Sequence, residues 1–177
     1  HRGLVKSDSI TVPKYLQMCA FKTGGLSRMA CKIAASVGGA DEKLTDAFGS
    51  FGETLGVSFQ IQDDILNITE SELSKGKGLG DDITEGKISL PVILSLKNLP
   101  EKKGKRLSQI LLMHSKDKKI INEAISAINE GNGIIEAQKE MTKLFAQSWS
   151  RLGVFIKEGA MKEKLYALSR FLIERQI

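Results

Sequence analysis

Residues 59–91 read FQIQDDILNITESELSKGKGLGDDITEGKISLP, and this stretch decides how the rest of the chain is interpreted. It opens with two adjacent acids inside an apolar run that is compatible with a helix. On an α-helix, residues three, four and seven positions apart share a face. Four polar residues have this spacing: Gln60, Asp63, Asp64 and Asn67. The pattern predicts an apolar helix with one acidic stripe, whose neighbouring carboxylates need a cation or basic partners to offset repulsion and desolvation.

Basic residues follow the acidic stripe along the chain, at Lys75, Lys77 and Lys87. The polar segment 69–82 contains three glycines and is predicted to be a loop that closes over an anion. Carboxylates are the hard oxygen donors that suit Mg²⁺, and lysines supply positive charge to phosphate groups. With Lys22 and Thr23 further upstream, this set of residues predicts a site for Mg²⁺ and a diphosphate.

Composition restricts the class of protein. The chain has 177 residues, enough for one domain with a sizeable core, and a net charge of +5. Its lysines are dispersed and aromatic residues make up only 6%, which argues against a nucleic-acid partner. No apolar run reaches the roughly 18 residues of a transmembrane segment. Cys19 and Cys31 lie in one predicted helix and are expected to be reduced packing residues, which indicates a reducing, cytoplasmic compartment.

Helical periodicity dominates the whole chain, and sustained period-two alternation is missing. The pattern predicts helices over 14–37, 41–68, 83–96, 105–114, 120–129, 134–156 and 165–173. Gly24 and Gly25 in the middle of the first helix predict a kink, a break or the close approach of another backbone. Three glycines recur on one side of the second helix and suit a tightly packed neighbouring helix: Gly49, Gly52 and Gly56. Pro91 is predicted either to kink its helix or to lie near the first turn. Residues 1–177 are therefore predicted to form a single all-α domain, a bundle of packed helices.

The combination of motifs resembles the trans-isoprenyl diphosphate synthases, or polyprenyl synthetases. The stretch 59–67 followed by Gly76-Lys77 and then by 81–91 resembles the second aspartate-rich region of that family, and Lys22-Thr23 resembles its Lys-Thr motif. The resemblance covers the C-terminal half of the usual family chain and points to a geranylgeranyl diphosphate synthase-like member. It implies a helical bundle of the isoprenoid synthase type, here incomplete at the N-terminal side.

The resemblance also implies a reaction. In the family, Mg²⁺ draws diphosphate off an allylic substrate, isopentenyl diphosphate attacks the resulting allylic cation head to tail, and a proton is lost. The product is farnesyl, geranylgeranyl or a longer polyprenyl diphosphate. Carried over to this chain, the resemblance assigns catalytic and diphosphate-binding roles to five residues: Lys22, Thr23, Gln60, Lys77 and Lys87. It assigns the metal to Asp63 and Asp64, with Asn67 and Asp81 as candidates for outer contacts.

Two departures from the family pattern affect what is expected. Asn67 stands where many members have aspartate, and a neutral amide oxygen attracts a metal less strongly than a carboxylate. The first aspartate-rich motif is absent, since no other such motif lies upstream of Asp63. The chain alone therefore supplies one wall of the expected site, and it is expected to be inactive without a missing N-terminal half. Homodimerisation, common in the family, is the other expected association.

Two other functions remain open at this level. The chain could be a non-catalytic partner subunit of a synthase, which the missing first motif favours. It could also be a structural helical interaction domain whose acids bind a cation without catalysis. Asp82 is expected to cap the helix that follows the loop rather than to bind metal, and His114 is expected to lie on the surface.

Overall fold

The computed structural model describes residues 10–69 and 80–175, and every element in these ranges is helical. The all-α prediction is confirmed. The elements are α1 (Val12–Cys19), a π-helical turn (Ala20–Gly24), α2 (Gly25–Val37), α3 (Glu42–Ile68), α4 (Asp81–Thr84), α5 (Leu90–Asn98), α6 (Glu101–Met113), α7 (Lys118–Glu130), α8 (Gly133–Gly153) and α9 (Ala160–Glu174). Among these described residues, no helix is long and apolar enough to cross a membrane.

Contacts divide the chain into two compact units. Of the described residues, the first unit comprises 10–15, 63–69 and 80–139, and the second comprises 16–62 and 140–175. Helices α3 and α8 each contribute residues to both units. The single domain over 1–177 stays a prediction.

The core of the first unit is a continuous apolar cluster from α4, α5, α6 and α7 together with the end of α3. Its fully buried members include Ile68, Val92, Leu107, Ile110 and Ile128. At its edge α8 begins very close to α5, because a Cβ atom on Gly133 would lie 2.0 Å from Ser95 Oγ and 2.1 Å from the Pro91 carbonyl oxygen. Position 133, the first residue of α8, therefore has no room for a side chain larger than that of glycine.

A glycine-lined helix contact organises the second unit. The glycines Gly49, Gly52 and Gly56 were expected to suit a closely packed neighbour, and α2 is that neighbour. A Cβ atom on Gly52 would lie 2.6 Å from Cys31 Sγ, and one on Gly56 would lie 2.7 Å from Ser27 Oγ. The prediction of a tightly packed helix is confirmed.

The paired glycines in the first predicted helix mark a π-helical turn. Gly24 is buried, and a Cβ atom there would lie 3.0 Å from the Glu53 carbonyl oxygen, so the expected close approach of another backbone is confirmed. The five residues Ala20–Gly24 form one wide helical turn, in which the Gly25 amide donates a hydrogen bond to the Ala20 carbonyl oxygen. Such turns interrupt otherwise regular helices and are frequent at functional sites.

Several predicted helix boundaries were wrong, including the start of the last helix, which is Ala160 and not residue 165. The helix expected over 83–96 is interrupted, since α4 ends at Thr84 and Gly86 has a φ of 70° that favours glycine. The next helix begins only at Leu90, with Pro91 in its first turn, which is the second of the two positions expected for that proline. The predicted start of the next helix at residue 105 is wrong as well, because α6 already begins at Glu101 after Pro100.

Both cysteines are free thiols, as predicted from the sequence. Cys19 is fully buried, whereas Cys31 is half-buried between α2 and α3. Burial raises the pKa of the Cys31 thiol, so it stays protonated and poorly reactive at neutral pH. Both residues therefore act as small packing groups.

Candidate diphosphate and metal site

The two adjacent acids of α3 lie in different environments. Asp63 is exposed, while only 8% of Asp64 is accessible to solvent. On a helix, neighbouring side chains point about 100° apart, so one acid of such a pair can face the interior while the other faces solvent. The pair therefore has one solvent-exposed carboxylate, that of Asp63, and one buried carboxylate, that of Asp64.

The buried carboxylate is held by a tyrosine from α1. Tyr15, itself 2% exposed, donates its hydroxyl to Asp64 Oδ2 at 2.7 Å. A buried tyrosine hydroxyl needs a polar partner, and a charged acceptor gives a stronger bond than a neutral one. In the sequence, Tyr15 is only one of several large residues with helical spacing in the segment 14–37. A phenol hydroxyl in such a segment indicates that Tyr15 needs a hydrogen-bond acceptor. The residue spacing does not show that the acceptor is Asp64, which lies 49 residues away.

Asn67 connects the acidic stripe to α4. Its side-chain Oδ1 accepts a hydrogen bond from the Asp82 amide at 3.0 Å, and its backbone carbonyl accepts one from the Gly80 amide at 3.0 Å. The expected capping role of Asp82 is wrong, because α4 begins at Asp81 after Gly80, which has a φ of 79°. Asp81 is exposed in this first turn. Through these two hydrogen bonds, Asn67 holds the start of α4, where Asp81 and Asp82 lie, beside the end of α3.

Lys87 is held beside α4 by two acids. Its Nζ lies 2.6 Å from Asp82 Oδ1 and 2.8 Å from Glu85 Oε2, and its backbone amide donates to the Asp82 carbonyl at 2.8 Å. The hydrogen bond that Lys87 donates to Asp82, and then the one it donates to Glu85, raise the pKa of Lys87 above its usual value. The ammonium group is therefore fully charged at neutral pH and already has anionic partners.

The Lys-Thr pair lies in the π-helical turn of the second unit. Thr23 donates its hydroxyl to Gln60 Oε1 at 3.1 Å, and Lys22 is exposed. The structure thus brings together Thr23 with Gln60, Asn67 with Asp82, and Lys87 with Asp82. Lys75 and Lys77 lie outside the described residues. Within the ranges 10–69 and 80–175, no three acids, histidines or cysteines come together as a metal cluster.

A family model described as Polyprenyl synthetase matches residues 4–128 of the chain. This segment contains the Lys-Thr pair, the acidic stripe, α4 and Lys87. The match covers more than half of the sequence, and the chain therefore belongs to the polyprenyl synthetase family. The resemblance found from the motifs is confirmed.

Individual relatives agree with the family assignment. The chain is 33% identical over 174 residues to the short chain isoprenyl diphosphate synthase of Methanothermobacter thermautotrophicus, covering 98% of this chain and 53% of the relative. It is 32% identical to the heptaprenyl diphosphate synthase component 2 of Bacillus subtilis, covering 92% and 45%. The crystal structure of heptaprenyl diphosphate synthase from Staphylococcus aureus superposes with a TM-score of 0.84 at 27% identity, covering 97% and 52%. The chain thus spans about half the length of the relatives it matches.

Proposed function

We propose that this chain forms the diphosphate-holding part of a Mg²⁺-dependent trans-prenyltransferase, which condenses isopentenyl diphosphate with an allylic diphosphate by head-to-tail elongation. The observation that carries the proposal is the acid pair of α3, with Asp63 open to solvent and Asp64 fixed inside the fold, in a chain of this family. Relatives named as isoprenyl and heptaprenyl diphosphate synthases support it. The products in view are farnesyl, geranylgeranyl or longer polyprenyl diphosphates.

The donor set fits Mg²⁺. This ion commonly binds proteins through one or two carboxylates and completes its octahedral coordination with water and substrate phosphates. Asp63 would hold it directly, and Asp64, oriented by Tyr15, would supply the second carboxylate. Asn67 already accepts from the Asp82 amide, which suits a positioning role better than a direct ligand role. When bound, the metal would serve as a Lewis acid toward the diphosphate leaving group.

The remaining residues would bind and orient the substrate. Lys22 and Lys87 carry exposed ammonium groups that suit diphosphate oxygens, and Lys77 is proposed for the same role on motif grounds alone. Gln60 accepts a hydrogen bond from the Thr23 hydroxyl at its amide oxygen, and its amide group is proposed to contact the diphosphate. This chain's residues would thus hold the departing diphosphate while its C–O bond breaks and the new C–C bond forms.

Calorimetric titration of the purified 177-residue chain with geranyl diphosphate tests the proposal. Binding is expected with Mg²⁺ present and is expected to disappear when EDTA removes the metal. Binding that is equally strong with EDTA would contradict the metal-dependent site, and no binding under either condition would contradict the diphosphate site. Titration with geraniol, which has the same hydrocarbon but no diphosphate, is the matched control and should show no Mg²⁺ dependence.

A second candidate is a partner subunit of a synthase. It is favoured by the half-length match and by a relative whose name is component 2. In that case turnover appears only when a second chain is added, and the added chain changes activity or product length. A homodimer and a cytoplasmic location, expected from the family and from the free cysteines, stay predictions.

The ion pairs of Lys87 make a further prediction for this site. Glu85 is the more exposed of its two acids and competes with an incoming diphosphate for the same ammonium group. Since an exposed ion pair contributes about 0.2–1 kcal/mol, Glu85→Gln is expected to tighten geranyl diphosphate binding by about 1.4- to fivefold. Lys87→Ala is expected to weaken it by about tenfold or more, because a charge-assisted hydrogen bond is lost.

Glu101→Gln is the matched control for this prediction. Glu101 pairs with Lys105 in an exposed ion pair on α6, and its replacement makes the same change in net charge. It should leave the dissociation constant unchanged. If Glu85→Gln binds no more tightly than Glu101→Gln at the same ionic strength, Glu85 does not compete for Lys87.

A further inference from the structure

His114 follows helix α6 in the left-handed backbone conformation, with a φ of 48° and a ψ of 40°. This conformation is uncommon for residues other than glycine and is energetically unfavourable for them. Within the described ranges, Asn132 is the only other non-glycine residue with a positive φ. Because such a backbone persists only where its surroundings hold it, the contacts of the His114 side chain indicate the role of this residue.

The His114 ring contacts residues 84–86, which connect α4 to Lys87 and are called the α4 turn. Its Nδ1 lies 3.2 Å from the Thr84 carbonyl oxygen. Because a carbonyl oxygen only accepts, Nδ1 carries the hydrogen and donates this bond. Thr84 is the last residue of α4, and the last carbonyls of a helix have no partner within it. His114 therefore supplies a donor that α4 itself lacks.

The same ring lies against Gly86 in the α4 turn. A Cβ atom on Gly86 would lie 2.5 Å from His114 Cε1 and 2.7 Å from the Leu111 carbonyl oxygen. Gly86 has a φ of 70°, which favours glycine. The histidine ring and the end of α6 thus pack closely on the residue that immediately precedes Lys87 in the chain.

The α4 turn determines where Lys87 lies. The Lys87 amide donates to the Asp82 carbonyl at 2.8 Å, and the Gly86 amide donates to the Ile83 carbonyl at 3.0 Å. Ile83 is 2% exposed and belongs to the apolar core of the first unit, so it anchors α4 from the inside. The His114 side chain is exposed and contacts the turn from the solvent side. The turn is therefore held by the core on one side and by this histidine on the other.

We propose that His114 is a positioning residue for diphosphate binding, which holds the α4 turn so that the Lys87 ammonium group is in place for the incoming diphosphate. This inference rests on the proposed function, because that function assigns Lys87 to the diphosphate. His114 itself does not contact the substrate in this role. Without its bond the turn must be ordered when the diphosphate binds, and ordering a loop on binding lowers affinity.

Replacements at position 114 separate the hydrogen bond from the backbone conformation. His114→Gly removes the donor but suits the left-handed backbone, so the variant is expected to fold. His114→Asn keeps a nitrogen donor bonded directly to Cγ, as Nδ1 is, and asparagine tolerates the left-handed region. Asn132→Gly is the matched control, because it makes the same backbone change at an exposed left-handed residue just before α8.

Amide hydrogen exchange, followed by NMR without substrate, measures how firmly the turn is held. His114→Gly is expected to speed exchange at Gly86 and Lys87 by about two- to tenfold, the effect of one lost hydrogen bond on local opening. His114→Asn should restore the slow exchange, and Asn132→Gly should leave it unchanged. The proposal is overturned if His114→Gly exchanges at the wild-type rate, or if His114→Asn exchanges as fast as His114→Gly.

Titration calorimetry with geranyl diphosphate and Mg²⁺ then connects the turn to Lys87. His114→Gly is expected to raise the dissociation constant by about two- to tenfold, and His114→Asn should restore it. In a Lys87→Ala background, His114→Gly should have no further effect, because the two residues act through one contact. An equal effect in both backgrounds would overturn the positioning role. A wild-type chain that binds no geranyl diphosphate would instead remove the proposed function, and the exchange rates would still decide whether His114 holds the turn.

Discussion

Replacing Asp63 with alanine is expected to weaken Mg²⁺-dependent binding of geranyl diphosphate to the chain by about 100-fold or more, the scale on which one preorganised electrostatic group acts in an active site. Asp63 is the open member of the acid pair, and its partner Asp64 is 8% exposed and bonded to Tyr15. In this variant, a bound metal would keep only the buried carboxylate of Asp64 from the acid pair. Because the Asp63 side chain lies at the surface, the fold is expected to hold, and titration calorimetry measures the loss directly.

The control for this variant is Glu42→Ala in the first turn of the same helix. It removes the same charge from an exposed position of α3, so net charge changes equally. An equal loss of affinity in both variants would show that only the overall charge matters. With EDTA present, the wild-type chain and Asp63→Ala should bind geranyl diphosphate equally weakly, and a difference that persists without metal would argue against a ligand role.

Replacing Gly133 with alanine is expected to lower the free energy of unfolding by about 3 kcal/mol, at the upper end of what overpacking of a core usually costs. The added methyl group would lie 2.0 Å from Ser95 Oγ and 2.1 Å from the Pro91 carbonyl oxygen. The Ser95 hydroxyl is fully buried and lies 2.9 Å from the Ile128 carbonyl oxygen, so it has little freedom to move aside. Urea denaturation followed by circular dichroism measures the change.

Gly104→Ala is the matched control, since it makes the same substitution inside a helix where there is room. The nearest atom to a Cβ on Gly104 would be Leu96 Cδ2 at 3.8 Å, an ordinary contact. Alanine is favoured over glycine in a helix interior, so this variant should gain about 0.5–1 kcal/mol. If both variants shift the unfolding midpoint in the same direction, the close approach at Gly133 does not limit the packing of α8 on α5.

The sequence predicted the helical class because helical periodicity depends on local spacing. The residues of the candidate site were proposed from spacing together with the family resemblance, and their roles stay predictions. The acid stripe follows from the helical repeat, and the glycines of α3 indicate a close neighbour without further knowledge. Boundaries near 83–104 were harder, because Gly86 ends one helix through its backbone conformation and Pro100 starts another. Those effects depend on a φ angle and on which amides remain unbonded, and residue periodicity does not report either.

The contacts that orient the site were beyond sequence reasoning. Nothing in the order of residues shows that Tyr15 meets Asp64, since that pairing depends on how helices pack. The pairing of Lys87 with Asp82 and Glu85 depends instead on the local turn at Gly86, whose φ angle the sequence does not report. The side of α2 that packs against α3 was hidden because it depends on helix packing. A periodic apolar pattern shows that a helix has two faces, but only packing shows which face is covered.

The π-helical turn at Ala20–Gly24 has a consequence for comparing this chain with others. A wide turn contains one residue more than a regular turn at almost the same angular position. A homologue with a regular helix here would therefore be one residue shorter, with its upstream and downstream side chains still in equivalent places. A single-residue gap inside a helix is usually taken as an alignment error, yet at this turn such a gap would keep Tyr15 and Gly52 matched to their true counterparts.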